Sequence, residues 1–280
     1  MTGLVSAPRG SVDAAAVEAT RAGTWRRTGF AVLGMVAVFA LLGPEAIGID
    51  PARQVLADSL SPPGAAHPLG ADVLGRSVLA RLAHAARLSL GLALASALSA
   101  AVPGVLLGVL AAWRGGWIDR GIALLADAVM SVPGLLLVLL FAAVAPGRHA
   151  ALYIGLGLVL WVEWFRVVRA SSRPVLAGDA VQASRLLGFG PAYLLRRHVL
   201  PELAPLLRTM LAFGSAQAVL ALAALGFIGV GVQPPTAELG VMMTEYLPHW
   251  HEAPWLIGAP VGLLMAVVLG MMLVAPEGRP

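Results

Sequence analysis

The chain has 280 residues, of which 59% are hydrophobic and only 12% charged, with a mean hydropathy of +0.84. An ordinary soluble domain carries about a quarter charged residues, so a soluble globular domain is excluded, and the absence of cysteine excludes disulfides, thiolate zinc sites and cysteine nucleophiles. The formal charge is +4 and all 19 basic residues are arginine, so no G-x-x-x-x-G-K-[ST] phosphate loop can be built from this chain.

Residues 1–23 are rich in Ala, Gly and Ser and read as a cytoplasmic tail. A first transmembrane helix is expected over 24–43, with Trp25 at the interface and Arg26 and Arg27 snorkelling to the headgroups. A cleaved signal peptide is the alternative for this block, and the long preceding tail argues against it. Residues 44–87 turn polar and Pro-bearing, which predicts an extracytoplasmic segment.

A core of five further helices is expected over 88–275, with apolar spans at 88–112, 122–145, 150–168, 206–232 and 256–274. A short Pro146-Gly147-Arg148 turn would join the third and fourth spans as a hairpin, and 276–280 reads as a second cytoplasmic tail. Pro103, Pro133 and Pro260 fall inside spans, where packed neighbours tolerate kinks. The fold class is therefore all-α: a polytopic membrane protein of about six transmembrane helices, with both termini on one side.

Arginine placement chooses that side, because short cytoplasmic loops collect basic residues. With both termini inside, 14 of the 19 arginines are cytoplasmic, and the outer loop 233–255 has Glu238, Glu245 and Glu252 but no Arg. Arginines dispersed between apolar spans indicate membrane topology and lipid contact rather than a basic face for nucleic acid.

The inner stretch 169–205, between the fourth and fifth spans, is too long and too periodic for a passive connector. Asp179 to Gly190 parses as a helix and a glycine turn, with a second helix from Pro191 to Val199. Ala183 and Ser184 permit close approach by a partner, Gly188 and Gly190 permit unusual backbone angles, and Pro191 suits a first helical turn. Leu186, Leu187 and Phe189 form an apolar knob flanked by Arg185, Arg196 and Arg197. An amphipathic helix lying on anionic lipid is the alternative for this elbow.

Gln182-Ala183-Ser184, Gly188 and His198-Val199-Leu200-Pro201 follow the E-A-A-x3-G-x9-I-x-L-P pattern, and the chain from Pro62 to Trp255 resembles permease subunits of ABC importers. His67-Pro68-Leu69-Gly70-Ala71-Asp72-Val73-Leu74-Gly75-Arg76 is similar to the H-x-L-G-T-D-x-L-G-R signature of their dipeptide, oligopeptide and nickel branch. Gly115-Gly116-Trp117-Ile118-Asp119 and the stretch from Phe227 to Thr236 resemble further landmarks of that branch. Departures are Gln182 for Glu, His198 for Ile, Ala71 for Thr, and Val274-Ala275-Pro276 in place of G-D-x-L-R-D.

The resemblance implies a non-catalytic translocation subunit of the bacterial inner membrane. Gln182, Ala183, Ser184, Arg185, Leu186, Leu187, Gly188, Phe189, Gly190, His198, Leu200 and Pro201 would couple to a separate ATPase. It further implies one or two ABC ATPase subunits, which would hold ATP and Mg, a homologous second permease and an extracytoplasmic substrate-binding protein. This chain itself would bind no cofactor. Short peptides and nickel or metal chelates share these landmarks, with Ala183 to Leu186 and Pro235 to Glu238 tilting the resemblance slightly toward nickel.

Asp127, with Met130 and Ser131 beside it, is a candidate for the translocation path, because a carboxylate at membrane depth is costly. Its alternative is an ion pair with Arg120 or Arg166. Glu163 and Arg166, three residues apart on one helical face, are expected to neutralise each other. His249 and His251, with Glu245 and Glu252 nearby, are weak candidates for touching a metal; no metal site is expected. No catalytic constellation is present. An ATP-independent secondary carrier is the competing function, and it would call for internal repeats and midplane ion ligands.

Overall fold

A computed structural model describes residues 9–145 and 148–274, with side chains from residue 23 onward. The Pro146-Gly147 part of the expected hairpin turn and the expected tail 276–280 lie outside the described residues, as do the first eight residues of the amino-terminal tail. Ten α-helices carry the described chain, and no strand occurs among those residues.

The helices are α1 (Arg9–Ile47), α2 (Val78–Arg114), α3 (Gly116–Met130), α4 (Gly134–Val144), α5 (His149–Ala177), α6 (Asp179–Leu186), α7 (Pro191–Leu194), α8 (Leu200–Phe227), α9 (Leu239–Tyr246) and α10 (Pro254–Val274). Five segments are long and apolar enough to cross a membrane: Gly23–Ile47, Val78–Arg114, His149–Ala177, Pro191–Phe227 and Pro254–Val274. A sixth is obtained when α3 and α4, bent by 73° at the break between them, are taken as one span.

That break is sharper than the single kinked span expected over 122–145. Pro133 has no N–H and disfavours helical angles at Val132 before it, and the Ser131 hydroxyl donates to the Ala128 carbonyl at 2.7 Å, satisfying one orphan of the terminating helix. α4 then starts afresh, with the Leu136 amide bonding to the Pro133 carbonyl at 2.9 Å.

α2 also begins ten residues earlier than the expected second span. Ser77 caps it by accepting from the Ala80 amide at 3.4 Å, and the arginines that made 78–87 read as a loop are held by carboxylates instead. Arg81 is fully buried. The segment 169–205 is helical for most of its length: α5 runs to Ala177, and α7 continues through a π turn at Leu195–Val199 into α8. Pro201 and Pro205 lack the N–H groups that α-helical pairing over this stretch requires, and π turns arise at such interruptions.

The centre of the bundle is α2 against α5. Their contact follows from residue size, because between apolar helices in lipid only close backbone approach yields dense packing. Ala93, Ala97, Ala100, Gly104 and Gly108 form a buried small-residue face on α2, and Trp161, Trp164, Phe165 and Val168 of α5 fill it. A methyl group at Gly104 would lie 2.3 Å from Trp164 Cβ. α8 packs on the same α2 face, and α1 lies along α10.

Opposite the elbow, α9 is pinned to α2 by buried charge. Asp72 accepts from the Arg76 Nε at 2.6 Å and from the Leu74 and Arg76 amides at 2.9 Å. Arg76 Nη2 reaches Glu245 of α9 at 3.2 Å, Arg81 Nη2 donates to the same carboxylate, and Arg81 Nη1 lies 3.6 Å from Asp72. Gly75 makes the turn possible: its φ is +68°, and a Cβ there would meet the Val55 carbonyl oxygen at 1.8 Å. Thus the ten-residue stretch from His67 to Arg76 is an ion-paired turn that seats the segment before α2 on the bundle.

Candidate functional site

The elbow is held at three corners. At the first, Gly115 and Gly116 reverse the chain between α2 and α3 with φ of +60° and +57°, which brings Asp119 to the carboxy-terminal part of α5. There its carboxylate is gripped by Arg169, with Nη2 to Oδ2 at 2.7 Å, and by Arg173 at 2.7 Å.

At the second corner, Gln182 donates through Nε2 to the Leu176 carbonyl at 3.1 Å. Leu176 is in the last turn of α5, where carbonyls have no helical partner. A glutamate would present a second acceptor to that carbonyl, so the glutamine is suited to this corner by its N–H.

The third corner joins α6 to the π turn. The Ser184 hydroxyl donates to the Ala180 carbonyl at 2.8 Å, and His198 Nε2 lies 3.0 Å from the same oxygen. With the serine proton committed to Ala180, the histidine supplies the hydrogen for this contact. The two positions that depart from Ala and Ile in the pattern therefore meet each other.

Between these corners the turn is formed by Leu187 to Gly190. Gly188 has φ of +82°, and Phe189 closes the turn by donating its amide to the Ser184 carbonyl at 3.1 Å. Leu186 and Leu187 are 90% and 76% exposed, and Phe189 stacks on Tyr193 with ring centroids 4.3 Å apart. The Arg185 guanidinium lies 4.8 Å over the Trp113 ring at the end of α2. Gly190, Arg196, Arg197, Leu200 and Pro201 are exposed on the same elbow. Leu186, Leu187, Phe189 and Tyr193 thus form an exposed apolar patch beside arginines.

Beside the break between α3 and α4 lies a partly open cavity of about 360 Å³, at whose edge Gln217 is exposed and Glu163 half-buried. Met130, Pro133 and Gly134 line it from the broken span, Leu160 and Glu163 from α5, and Gln217 from α8. Asp127 does not line it and instead pairs with Arg166. Ser131 is exposed at the break. The expected Glu163–Arg166 pair is not formed: Arg166 turns to α3, and the Gln217 Nε2 donates to Glu163 Oε1 at 3.2 Å. Arg166 thus neutralises Asp127 across helices and leaves Glu163 with a neutral partner.

The outer histidines are not gathered into a ligand set. No group of three or more His, Cys, Asp or Glu positioned to hold a metal occurs among the described residues. Glu245 is committed to Arg76 and Arg81, and the His251 ring lies against Trp250 at 3.7 Å between centroids. The loop 233–255 has a different feature that the sequence did not announce: Glu238 is buried and caps α9 by accepting from the Gly240 and Val241 amides at 2.8 and 3.1 Å, while Ser89 of α2 donates to it at 3.2 Å. Burial pushes this carboxyl up from the ordinary glutamate value, against the opposing pull of those hydrogen bonds. An acidic residue just before Leu239-Gly240 was the available signal for the cap.

Comparison with known proteins places these features in context. Residues 104–275 match the family described as the binding-protein-dependent transport system inner membrane component. The di/tripeptide transport system permease protein DppC of Pseudomonas aeruginosa is 36% identical over 247 residues, 85% of this chain and 81% of its own length. The dipeptide permease DppC of Haemophilus influenzae is 31% identical over 246 residues, 85% of this chain and 83% of its own. The oligopeptide permease OppC of Bacillus subtilis is 28% identical over 246 residues, covering 88% and 81%. A chain of the MetNI methionine ABC transporter in an inward-facing conformation shares the fold, with a TM-score of 0.55 over 67% of this chain and 89% of its own at 22% identity.

Proposed function

This chain belongs to the family of binding-protein-dependent transport system inner membrane components, and from that membership we propose that it is the permease subunit of an ATP-driven importer of short peptides. The relatives named above are peptide permeases, and they favour peptides over the nickel cargo toward which two short stretches of sequence tilt. In this reading both termini are cytoplasmic, and the arginine-rich inner segments support that orientation.

The observation that carries the proposal is the exposed apolar elbow. Leu186, Leu187, Phe189 and Tyr193 form a knob sized for a groove on a separate ATPase, which would hold the ATP and Mg that a chain without lysine has no phosphate loop to bind. A second, homologous permease would complete the pathway, and an extracytoplasmic binding protein would deliver cargo to the outer face around α9. Motion of the docked motor would reach α5 directly and α3 through the Asp119 clamp with Arg169 and Arg173. The break at 131–133 lies at the far end of α3, about 18 Å along the helix from Asp119, so a small rotation of α5 carried through α3 would change the bend of the third span.

The test is purification in mild detergent with uptake measured alongside. An ATPase should copurify with this chain, and arginines at both Ala183 and Ser184 should abolish copurification, peptide uptake and peptide-dependent ATP hydrolysis while leaving membrane insertion intact. Peptide uptake unchanged in that variant would refute docking at the elbow, and uptake without any associated ATPase would favour the secondary carrier.

A further inference from the structure

We propose that Glu163, with the Gln217 amide beside it, forms an intramembrane subsite for the α-ammonium group of the peptide cargo. The inference rests on the reading of this chain as a peptide permease and adds a residue that recognises one end of the cargo.

Glu163 sits fourteen residues past the start of α5, roughly 21 Å along the helix at about 1.5 Å per residue, and so within a hydrocarbon core about 30 Å thick. A carboxylate at that depth is normally paired. Its nearest cation in sequence, Arg166, is taken by Asp127, and among the described residues Glu163 has one polar partner, the neutral Gln217 amide. That bond uses Glu163 Oε1 and one hydrogen of the amide. Glu163 Oε2 and Gln217 Oε1 remain as acceptors on two residues that line the cavity, which suits a group that carries three hydrogens and one positive charge.

The surroundings favour an organic ammonium group over a small hydrated ion. The lining beyond this pair is apolar, with Met130, Pro133, Val138 and Leu160 prominent, and ion-binding sites in membranes recruit several oxygen ligands. The volume of about 360 Å³ falls at the lower end of small-molecule sites, which is ample for a dipeptide. The cavity also borders the break between α3 and α4, so a change in that bend would alter the space beside the carboxylate and release the cargo.

The experiment uses the complete transporter, this chain with its partner subunits, in lipid nanodiscs without the binding protein, and measures equilibrium binding of radiolabelled Ala-Ala and of N-acetyl-Ala-Ala. Wild-type complex should bind Ala-Ala about tenfold more tightly than the acetylated form, the loss expected for one charge-assisted hydrogen bond. Glu163→Gln, which preserves shape and the bond from Gln217, should weaken Ala-Ala binding about tenfold and erase the preference, whereas Glu163→Asp should retain part of it. Equal binding of both peptides by wild type, a preference that survives Glu163→Gln, or no binding by a complex that transports dipeptides would overturn the subsite. Loss of the second permease from the Glu163→Gln complex would also overturn it, since the carboxylate would then serve that interface. Dipeptide uptake unaffected by deletion of this chain would instead refute the peptide-permease reading itself.

Discussion

Ser184 Oγ lies 3.0 Å from His198 Nε2, and this contact ties the first helix of the elbow to the π turn that leads into α8. Both positions hold polar side chains where the pattern the loop otherwise follows has Ala and Ile, so this contact is polar at both ends. Ser184→Ala should leave a partly buried imidazole nitrogen without its partner and cost about 1 kcal/mol. Ser184→Ala with His198→Ile should recover most of that loss. Thermal melting of the detergent-purified protein in a double-mutant cycle measures the coupling, and additive shifts would refute it.

Gln182 makes a related prediction with the opposite chemistry. Gln182→Glu removes the N–H that satisfies the Leu176 carbonyl and sets an anion against it. The α5–α6 corner should loosen, seen as faster amide exchange over 176–186 and weaker peptide stimulation of ATP hydrolysis. Gln182→Ala, which loses the bond without adding charge, should have the smaller effect.

At the turn from His67 to Arg76, removing Arg81 leaves Asp72 and Glu245 to share one cation, Arg76, because the Arg81 guanidinium is fully buried beside both. Loss of one partner from a buried charge cluster costs about 3–5 kcal/mol. Arg81→Met should therefore lower the melting temperature strongly and expose 55–76 to proteolysis. Arg87→Met, which removes the exposed pair with Glu45 and two bonds to the Ala40 and Leu41 carbonyls of α1, should lower the melting temperature less than Arg81→Met.

Glu238 predicts a pH dependence whose sign follows from its burial. Its carboxyl is held above the ordinary value of 4.5 in the folded protein, chiefly by desolvation. The folded state therefore favours the neutral acid, and that contribution is complete below about pH 4.5 and is lost as pH rises through the raised value. Glu238→Gln stays neutral and keeps an oxygen for the Gly240 and Val241 amides. Between pH 4.5 and 8 the wild type should lose more melting temperature than Glu238→Gln, and parallel curves would contradict this.

The α2–α5 contact predicts a size limit. Gly104→Ala places a methyl group 2.3 Å from Trp164 Cβ, and overpacking of this kind costs about 1–3 kcal/mol. The same substitution at Gly91, where a Cβ meets nothing within 4 Å, should be neutral or stabilising in a helix.

What the sequence made legible is governed by range. The spans could be read from composition because each is a local property of about twenty residues, and the elbow could be read because Gly188 and Pro191 punctuate it locally. The start of α2 could not. Arg81 looks like a loop residue until it meets Glu245, which is 164 positions away along the chain. Glu163 was misassigned for the same reason, since helical spacing pointed to Arg166 while Asp127, 39 positions from that arginine, claimed it. Pro133 announced a disturbance but not its angle, because the bend also depends on how α4 sits on α5, with Gly134 against Val159 and Gly155 against Val138.

The broken third span has a consequence for how the chain is made. α3 has 15 residues and α4 has 11, about 22 and 16 Å at 1.5 Å per residue, so neither half alone crosses a hydrocarbon core about 30 Å thick. The half that emerges first carries Asp127, whose counter-charge Arg166 is synthesised only with α5. The pairing of α3, α4 and α5 therefore predicts that a chain truncated before α5 leaves this region extractable from the membrane, whereas one that includes α5 resists extraction.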